Sequence, residues 1–104
     1  MAQPSKDLSV EITGKQKEIA VVRLTRAKKR NALSDGLILA IRDAFQNLPS
    51  SVRAAVLDGE GEHFCAGLDL SELKERDAGE GVHHSRAWHA ALDALQYGPV
   101  PVVA

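Results

Sequence analysis

The sequence predicts an α/β fold in which a sheet is layered with helices through crossover connections, and three observations carry that prediction. Short strand-type runs recur along the chain, at Leu8–Ile12, Ile19–Leu24, Ala54–Leu57 and Val100–Ala104. Apolar residues at helical spacing separate the later runs, between Leu37 and Leu48 and again between Trp88 and Leu95. The whole has the composition of one ordinary globular domain: 104 residues, 44% hydrophobic and 26% charged, with no internal repeat or boundary.

Taken in order, Leu8-Ser9-Val10-Glu11-Ile12 alternates apolar and polar, Gly14-Lys15-Gln16-Lys17 turns, and Ile19 to Leu24 returns, which reads as a hairpin. A basic loop, Arg26 to Arg30, follows. Ser34 is placed to cap a helix from Asp35 to Leu48 that puts Leu37, Ile38, Ile41, Phe45 and Leu48 on one face before Pro49 closes it. Ala54-Ala55-Val56-Leu57 is a strand, ended by the turn signal Asp58-Gly59-Glu60-Gly61. A second helix is expected from Asp69 to Arg76, where Asp69 and Glu72 have capping-box spacing. Asp77 to Gly81 is read as a polar break. A third helix then carries Trp88, Ala91, Leu92 and Leu95, and Gly98 and Pro99 end it. Val100 to Ala104 reads as a strand just begun, so further chain is expected after it.

Composition removes several function classes. A net charge of −1 gives no global attraction to nucleic acid or to an anionic membrane, so any anion site must be local. The lone Cys65 rules out an internal disulfide framework and fits a reducing compartment. The longest apolar run is five residues, Leu37 to Ile41, and Met1 to Ser9 is polar, so a soluble cytoplasmic protein is expected. His83, His84 and His89 lack the spacing that puts two ligands on one helix face, and no metal is expected. A dinucleotide fingerprint starting at Gly59-x-Gly61 would need its third glycine where Phe64 stands.

The stretch that carries chemistry is His63-Phe64-Cys65-Ala66-Gly67-Leu68-Asp69-Leu70. A strand leading into a tight glycine loop and then a helix leaves backbone N–H groups free to face a ligand, which is an anion- or oxyanion-binding arrangement. A plain strand-to-helix turn needing glycine is the competing reading. Cys65, small and beside apolar neighbours, is read as packing, Asp69 as a helix N-cap, and His63 has no evident partner.

Three pieces in order make the chain resemble the N-terminal part of the crotonase superfamily, the enoyl-CoA hydratase and isomerase group, over essentially its whole length. They are Ile19 to Arg26 with Lys29-Arg30-Asn31-Ala32-Leu33-Ser34, then Val52 to Leu57, then Phe64 to Leu70, followed by Pro101-Val102-Val103-Ala104. The resemblance implies a spiral of ββα units that binds an acyl-CoA thioester, coenzyme A entering as part of the substrate and no separate cofactor being needed. It implies that the Leu68 backbone N–H supplies one oxyanion donor, with a second donor and the catalytic acids beyond Ala104. It places Lys28, Lys29 and Arg30 near the CoA phosphates, and Ala32, Ala66 and Leu68 among the CoA-binding residues, with backbone carbonyls of the glycine loop on the adenine. In the aroyl-CoA dehalogenase branch a Trp-His pair in the corresponding helix sits at the site, which makes His89 a candidate base against the plainer reading of a surface or core histidine. Enoyl-CoA hydration is the simplest activity implied; isomerisation, dehalogenation and thioester hydrolysis remain open, as does a non-catalytic CoA-binding module if the protein stops at Ala104. The resemblance further implies a homotrimer, or a hexamer built as a dimer of trimers.

Overall fold

Strand β1 (Leu8–Thr13) and strand β2 (Ile19–Leu24) form the expected antiparallel hairpin, with Leu8 opposite Leu24 and Thr13 opposite Ile19. The computed structural model describes residues 6–69 and 78–104, with side chains given throughout except at 78–80. Helix α1 (Asp35–Gln46), strand β3 (Ala54–Gly59), helix α2 (Ala78–Gln96) and strand β4 (Val102–Val103) follow. The four strands form one sheet in the order β1-β2-β3-β4. β2 pairs β3 in parallel and β3 pairs β4 in parallel, so α1 and α2 lie in the two crossover connections that parallel neighbours require.

Burial follows the two periodicities. Ala20, Val22 and Leu24 on β2, with Ala55 and Leu57 on β3, are buried on one sheet face, and the pairing sets Ala20 beside Ala55 and Val22 beside Leu57. α1 covers that face with Leu37, Ile41 and Phe45, the last only 1% exposed, and Val52 completes the cluster. Ser34 caps α1 as expected, its Oγ accepting from Leu37 N at 3.1 Å. α2 packs on α1, and at their contact His84 Nε2 lies 2.9 Å from Asp35 Oδ1 while Trp88 Nε1 donates to His84 Nε2 at 3.1 Å.

The structure departs from the sequence reading in five places, one of them the last strand, which holds only Val102–Val103 of the expected Val100–Ala104. α1 stops at Gln46, two residues short of Leu48: Asn47 makes the last i→i−4 bond to Asp43 O, but its backbone has left the helical region (φ −120°, ψ 26°) and its side-chain Nδ2 donates to the same carbonyl as a cap. β3 runs on through the turn-like Asp58-Gly59, since β2 continues to Leu24 and supplies partners for both. There Arg23 grips Asp58 with Nε and Nη2 at 2.8 and 3.0 Å, and this hydrogen-bonded guanidinium holds the Asp58 carboxyl below the usual carboxylate range. The polar break at Asp77–Gly81 is instead helical from Ala78 onward; the glycines fall in the first turn of α2, where the helical cost of glycine is offset by the length that follows. Leu92, expected on the packed stripe, is 51% exposed. The helix expected at Asp69–Arg76 lies outside the described residues except for Asp69. No helix of the described residues is long and apolar enough to cross a membrane.

These positions give a direct stability contrast. Phe45→Ala empties the middle of the sheet–helix core and should destabilise the chain by about 3–5 kcal/mol, whereas Leu92→Ala should stay within about 0.5 kcal/mol. Urea unfolding followed by circular dichroism checks both; equal losses would mean that α2 buries a different face.

Candidate functional site

Because β2 and β3 run in parallel, the loops that leave their C-terminal ends emerge at the same end of the sheet and meet there, the position at which parallel sheets present ligand sites. The first loop makes a short 3-10 turn at Ala27–Lys29, and then Arg30 and Asn31 take left-handed φ values of 54° and 57°. Asparagine tolerates that conformation better than most residues. Asn31 is completely buried, and its amide is fully used: Oδ1 accepts from Arg26 N at 2.9 Å, and Nδ2 donates to Glu60 O at 3.0 Å and to His63 O at 2.7 Å. One side chain of the first loop thus ties down the backbone of the second. Gly59 lets the approach happen, because a Cβ there would run into Phe64 O and Asn31 Nδ2.

The two loops then pair along their backbones. Ala66 N donates to Arg30 O at 3.0 Å, Leu33 N to Gly67 O at 2.7 Å, and Asp69 N to Leu33 O at 3.0 Å, which makes Leu33 and Leu68 a parallel bridge. The Gly67 C=O and the Leu68 N–H are opposite ends of one trans peptide plane and so point in opposite directions. Leu33 holds the carbonyl end, and the N–H end therefore faces away from Leu33. Among the described residues the Leu68 N–H has no acceptor, and Leu68 is 37% exposed. Gly67 has φ +90°, yet a Cβ there would meet nothing within 4 Å. Glycine is needed here for its backbone alone. Cys65 packs partly buried against the core, as expected, and its Sγ accepts from Gly67 N at 3.4 Å.

A cleft of about 610 Å³ opens beside this end of the sheet, lined among others by Lys6, Thr25, Lys28, Lys29, Ser34 and Glu60. Lys28, Lys29 and Arg30 are all exposed and make no ion pair among the described residues, so their charges face solvent; Lys28 and Lys29 line the cleft and Arg30 does not. Ala32 is buried, and its carbonyl accepts from Arg26 Nη1 at 2.7 Å. The structure therefore gathers Arg30, Ala32, Ala66 and Leu68 into one paired unit with the basic turn beside it. His89 stands apart on α2, exposed and without a hydrogen bond among the described residues, while its neighbour Trp88 turns its Nε1 to His84. The helix that Asp69 is expected to cap lies outside the described residues; Asp69 itself is buried, and its Oδ2 accepts from Arg26 Nη2 at 2.9 Å.

Local sequence assigns no role to Arg26 or Asn31, although both lie in segments that match the family pattern. The available signal was an asparagine following a basic turn between a strand and a helix, a position that favours a left-handed residue with a polar side chain. Its long-range partners, Glu60 and His63, are invisible to local pattern.

Comparison with known proteins agrees with this geometry. The sequence profile of the enoyl-CoA hydratase/isomerase family matches residues 14–104. The chain is 37% identical over 102 residues to the provisionally named enoyl-CoA hydratase/isomerase YngF of Bacillus subtilis (strain 168), covering 92% of this chain and 38% of that protein. It is 39% identical over 92 residues to 4-chlorobenzoyl coenzyme A dehalogenase-1 of Arthrobacter sp., covering 83% of this chain and 33% of that one. A crystal structure of a provisionally named enoyl-CoA hydratase from Rhodopseudomonas palustris CGA009 superposes with a TM-score of 0.87 at 49% identity, covering 98% of this chain and 38% of that one. The chain thus spans less than two-fifths of the length of each of these relatives.

The loop junction yields a second prediction. Asn31→Ala strips a buried acceptor from Arg26 N and a donor from two carbonyls of the second loop, and should cost about 2 kcal/mol or more; Gly67→Ala meets only backbone strain and should cost about 1–2 kcal/mol. Denaturant melts of the two variants measure the difference, and an Asn31→Ala variant as stable as the parent would refute the stitching role.

Proposed function

The chain belongs to the enoyl-CoA hydratase/isomerase family, and on that premise we propose that its protein acts on acyl-CoA thioesters through an oxyanion site to which Leu68 contributes its backbone N–H. The observation that carries the reading is the 67–68 peptide: its carbonyl is held by Leu33 N at 2.7 Å, and its N–H is left without an acceptor among the described residues at an exposed position. A donor fixed before the reaction stabilises charge that develops on a thioester oxygen without reorganising, and the hydrogen bond at the carbonyl end polarises the same peptide and strengthens its N–H.

The activity proposed is enoyl-CoA hydration, in which water adds across the 2,3 double bond through a thioester enolate whose negative charge rests on that oxygen. In this reading the second N–H donor and the acid–base groups come from chain beyond Ala104, in keeping with relatives more than twice as long. Isomerisation, dehalogenation and hydrolysis begin from the same polarised carbonyl and differ in those other groups. The similarity to an aroyl-CoA dehalogenase keeps dehalogenation as the second reading, with exposed His89 as its base. Lys28 and Lys29, which line the cleft, then meet the CoA phosphates together with the adjacent Arg30, while Ala32, Ala66 and Leu68, in the paired loops beside the cleft, contact the rest of the CoA thioester. No cofactor beyond the CoA carried by the substrate enters the proposal. A cytoplasmic trimer, or a hexamer of two trimers, belongs to the same reading; exposed Leu92, Tyr97 and Val103 offer apolar surface for such assembly.

The chemistry assigned to Leu68 resides in its N–H. Leu68→Met should leave turnover of a short-chain enoyl-CoA within a small factor, whereas Leu68→Pro removes the donor and should lower kcat by about 10²-fold or more. The comparison is made on the protein carrying this chain, with circular dichroism and CoA binding showing each variant folded. Full turnover in a folded Leu68→Pro variant would end the oxyanion reading, and absence of turnover in the parent with CoA affinity intact would favour a binding module.

For the CoA end, replacing both Lys29 and Arg30 by Ala should weaken CoA-thioester affinity, and added salt should shrink the difference because exposed phosphate contacts are screened. Calorimetric titration at two ionic strengths reads this out. Unchanged affinity would return both residues to a solvated loop.

A further inference from the structure

We propose that Arg26 is a positioning residue for the Leu68 N–H, a role that rests on the oxyanion reading but is decided by a measurement of its own. The Arg26 side chain is only 14% exposed and lies between the two loops. Nη1 donates to Ala32 O at 2.7 Å, Nη2 donates to Asp69 Oδ2 at 2.9 Å, and Nε lies 3.7 Å from Asp7 Oδ2. Ala32 precedes Leu33 and Asp69 follows Leu68. A single planar group therefore grips a neighbour of each member of the Leu33–Leu68 bridge. The rigid fork of a guanidinium fixes the separation and relative orientation of two acceptors, which a point-like ammonium does not.

The bridge needs such a clamp. It is isolated from the main strands, and it contains Gly67, the residue with the greatest freedom to rotate the 67–68 peptide. The open space around Gly67 offers no packing against that rotation, and the remaining lateral contact is the weak one from Gly67 N to Cys65 Sγ. The direction of the Leu68 N–H is thus set by Leu33 and Asp69, and by what holds those two in place. The Asp69 side chain is 7% exposed, and Arg26 supplies a hydrogen-bonded counter-charge to its buried carboxylate. Arg26 is itself anchored, since its backbone N–H donates to the buried Asn31 Oδ1. The hydrophobic core of β2, β3 and α1 is made by other residues, so the clamp is separable from global folding.

The test is amide hydrogen exchange by NMR on the protein carrying this chain. In Arg26→Ala the amides of Leu33 and Asp69 should exchange about tenfold faster or more, the size expected when one hydrogen bond's worth of stabilisation is lost, while those of Val22 and Leu57 keep the parent rate. Millimolar guanidinium, which can enter the vacated space from the open cleft, should restore the parent pattern, and the same concentration of sodium chloride should not. Arg26→Lys keeps the charge without the fork and should show a smaller rise confined to the same two amides; it carries the test alone if Arg26→Ala does not fold. In the protein carrying this chain, Arg26→Lys should lower kcat for an enoyl-CoA with KM nearly unmoved. Unchanged exchange at Leu33 and Asp69, or an equal rise at Val22 and Leu57, overturns the proposal. A parent without acyl-CoA turnover refutes the oxyanion reading, and the exchange pattern still decides whether Arg26 fixes the 67–68 peptide.

Discussion

The buried amide of Asn31 is the interaction on which the site depends. It uses both ends at once, accepting from its own loop at Arg26 N and donating to two carbonyls of the other loop at Glu60 and His63. A buried polar group left unpaired would cost more than a paired one contributes, so this arrangement is close to all-or-none. The rest of the loop junction follows from it: the left-handed turn at Arg30 and Asn31, the close approach at Gly59, and the backbone pairing of Leu33 with Gly67 and Asp69.

Beneath that junction lies a constraint of topology. Two parallel strands deliver their loops to the same end of the sheet, and the α1 crossover must span the whole distance between them while covering the apolar face. The helix that completes the core thus also brings residues 26–34 beside residues 60–69. Stability and site geometry share one connection. The capped start of α1 at Ser34 directly follows Leu33, whose N–H holds the Gly67 carbonyl.

A site whose chemistry is done by a backbone N–H is insensitive to the side chain at that position. This fits a family in which similarity extends to proteins named for different reactions, a hydratase/isomerase and a dehalogenase among them. In the proposed reading, the element common to those reactions is a peptide held at its carbonyl end with its N–H presented outward. Side chains that distinguish one reaction from another can change elsewhere without disturbing it.

The sequence alone determined the hairpin, the α1 cap and its buried stripe, the β3 strand, and the glycine loop as the place to look, because period, capping residue and glycine spacing are local quantities. The resemblance of three short motifs added the family. Tertiary structure decided what local pattern cannot carry. Asp58 and Gly59 joined β3 because β2 was there to pair with them, and Ala78–Gly81 joined α2 although their composition reads as a break. Leu92 turned outward despite its helical spacing. Above all, Arg26 to Asp69 and Asn31 to His63 are contacts between residues far apart in the chain. No window of sequence contains both partners of either contact, and the free end of the 67–68 peptide has a direction only once Leu33, brought in by the fold, holds the other.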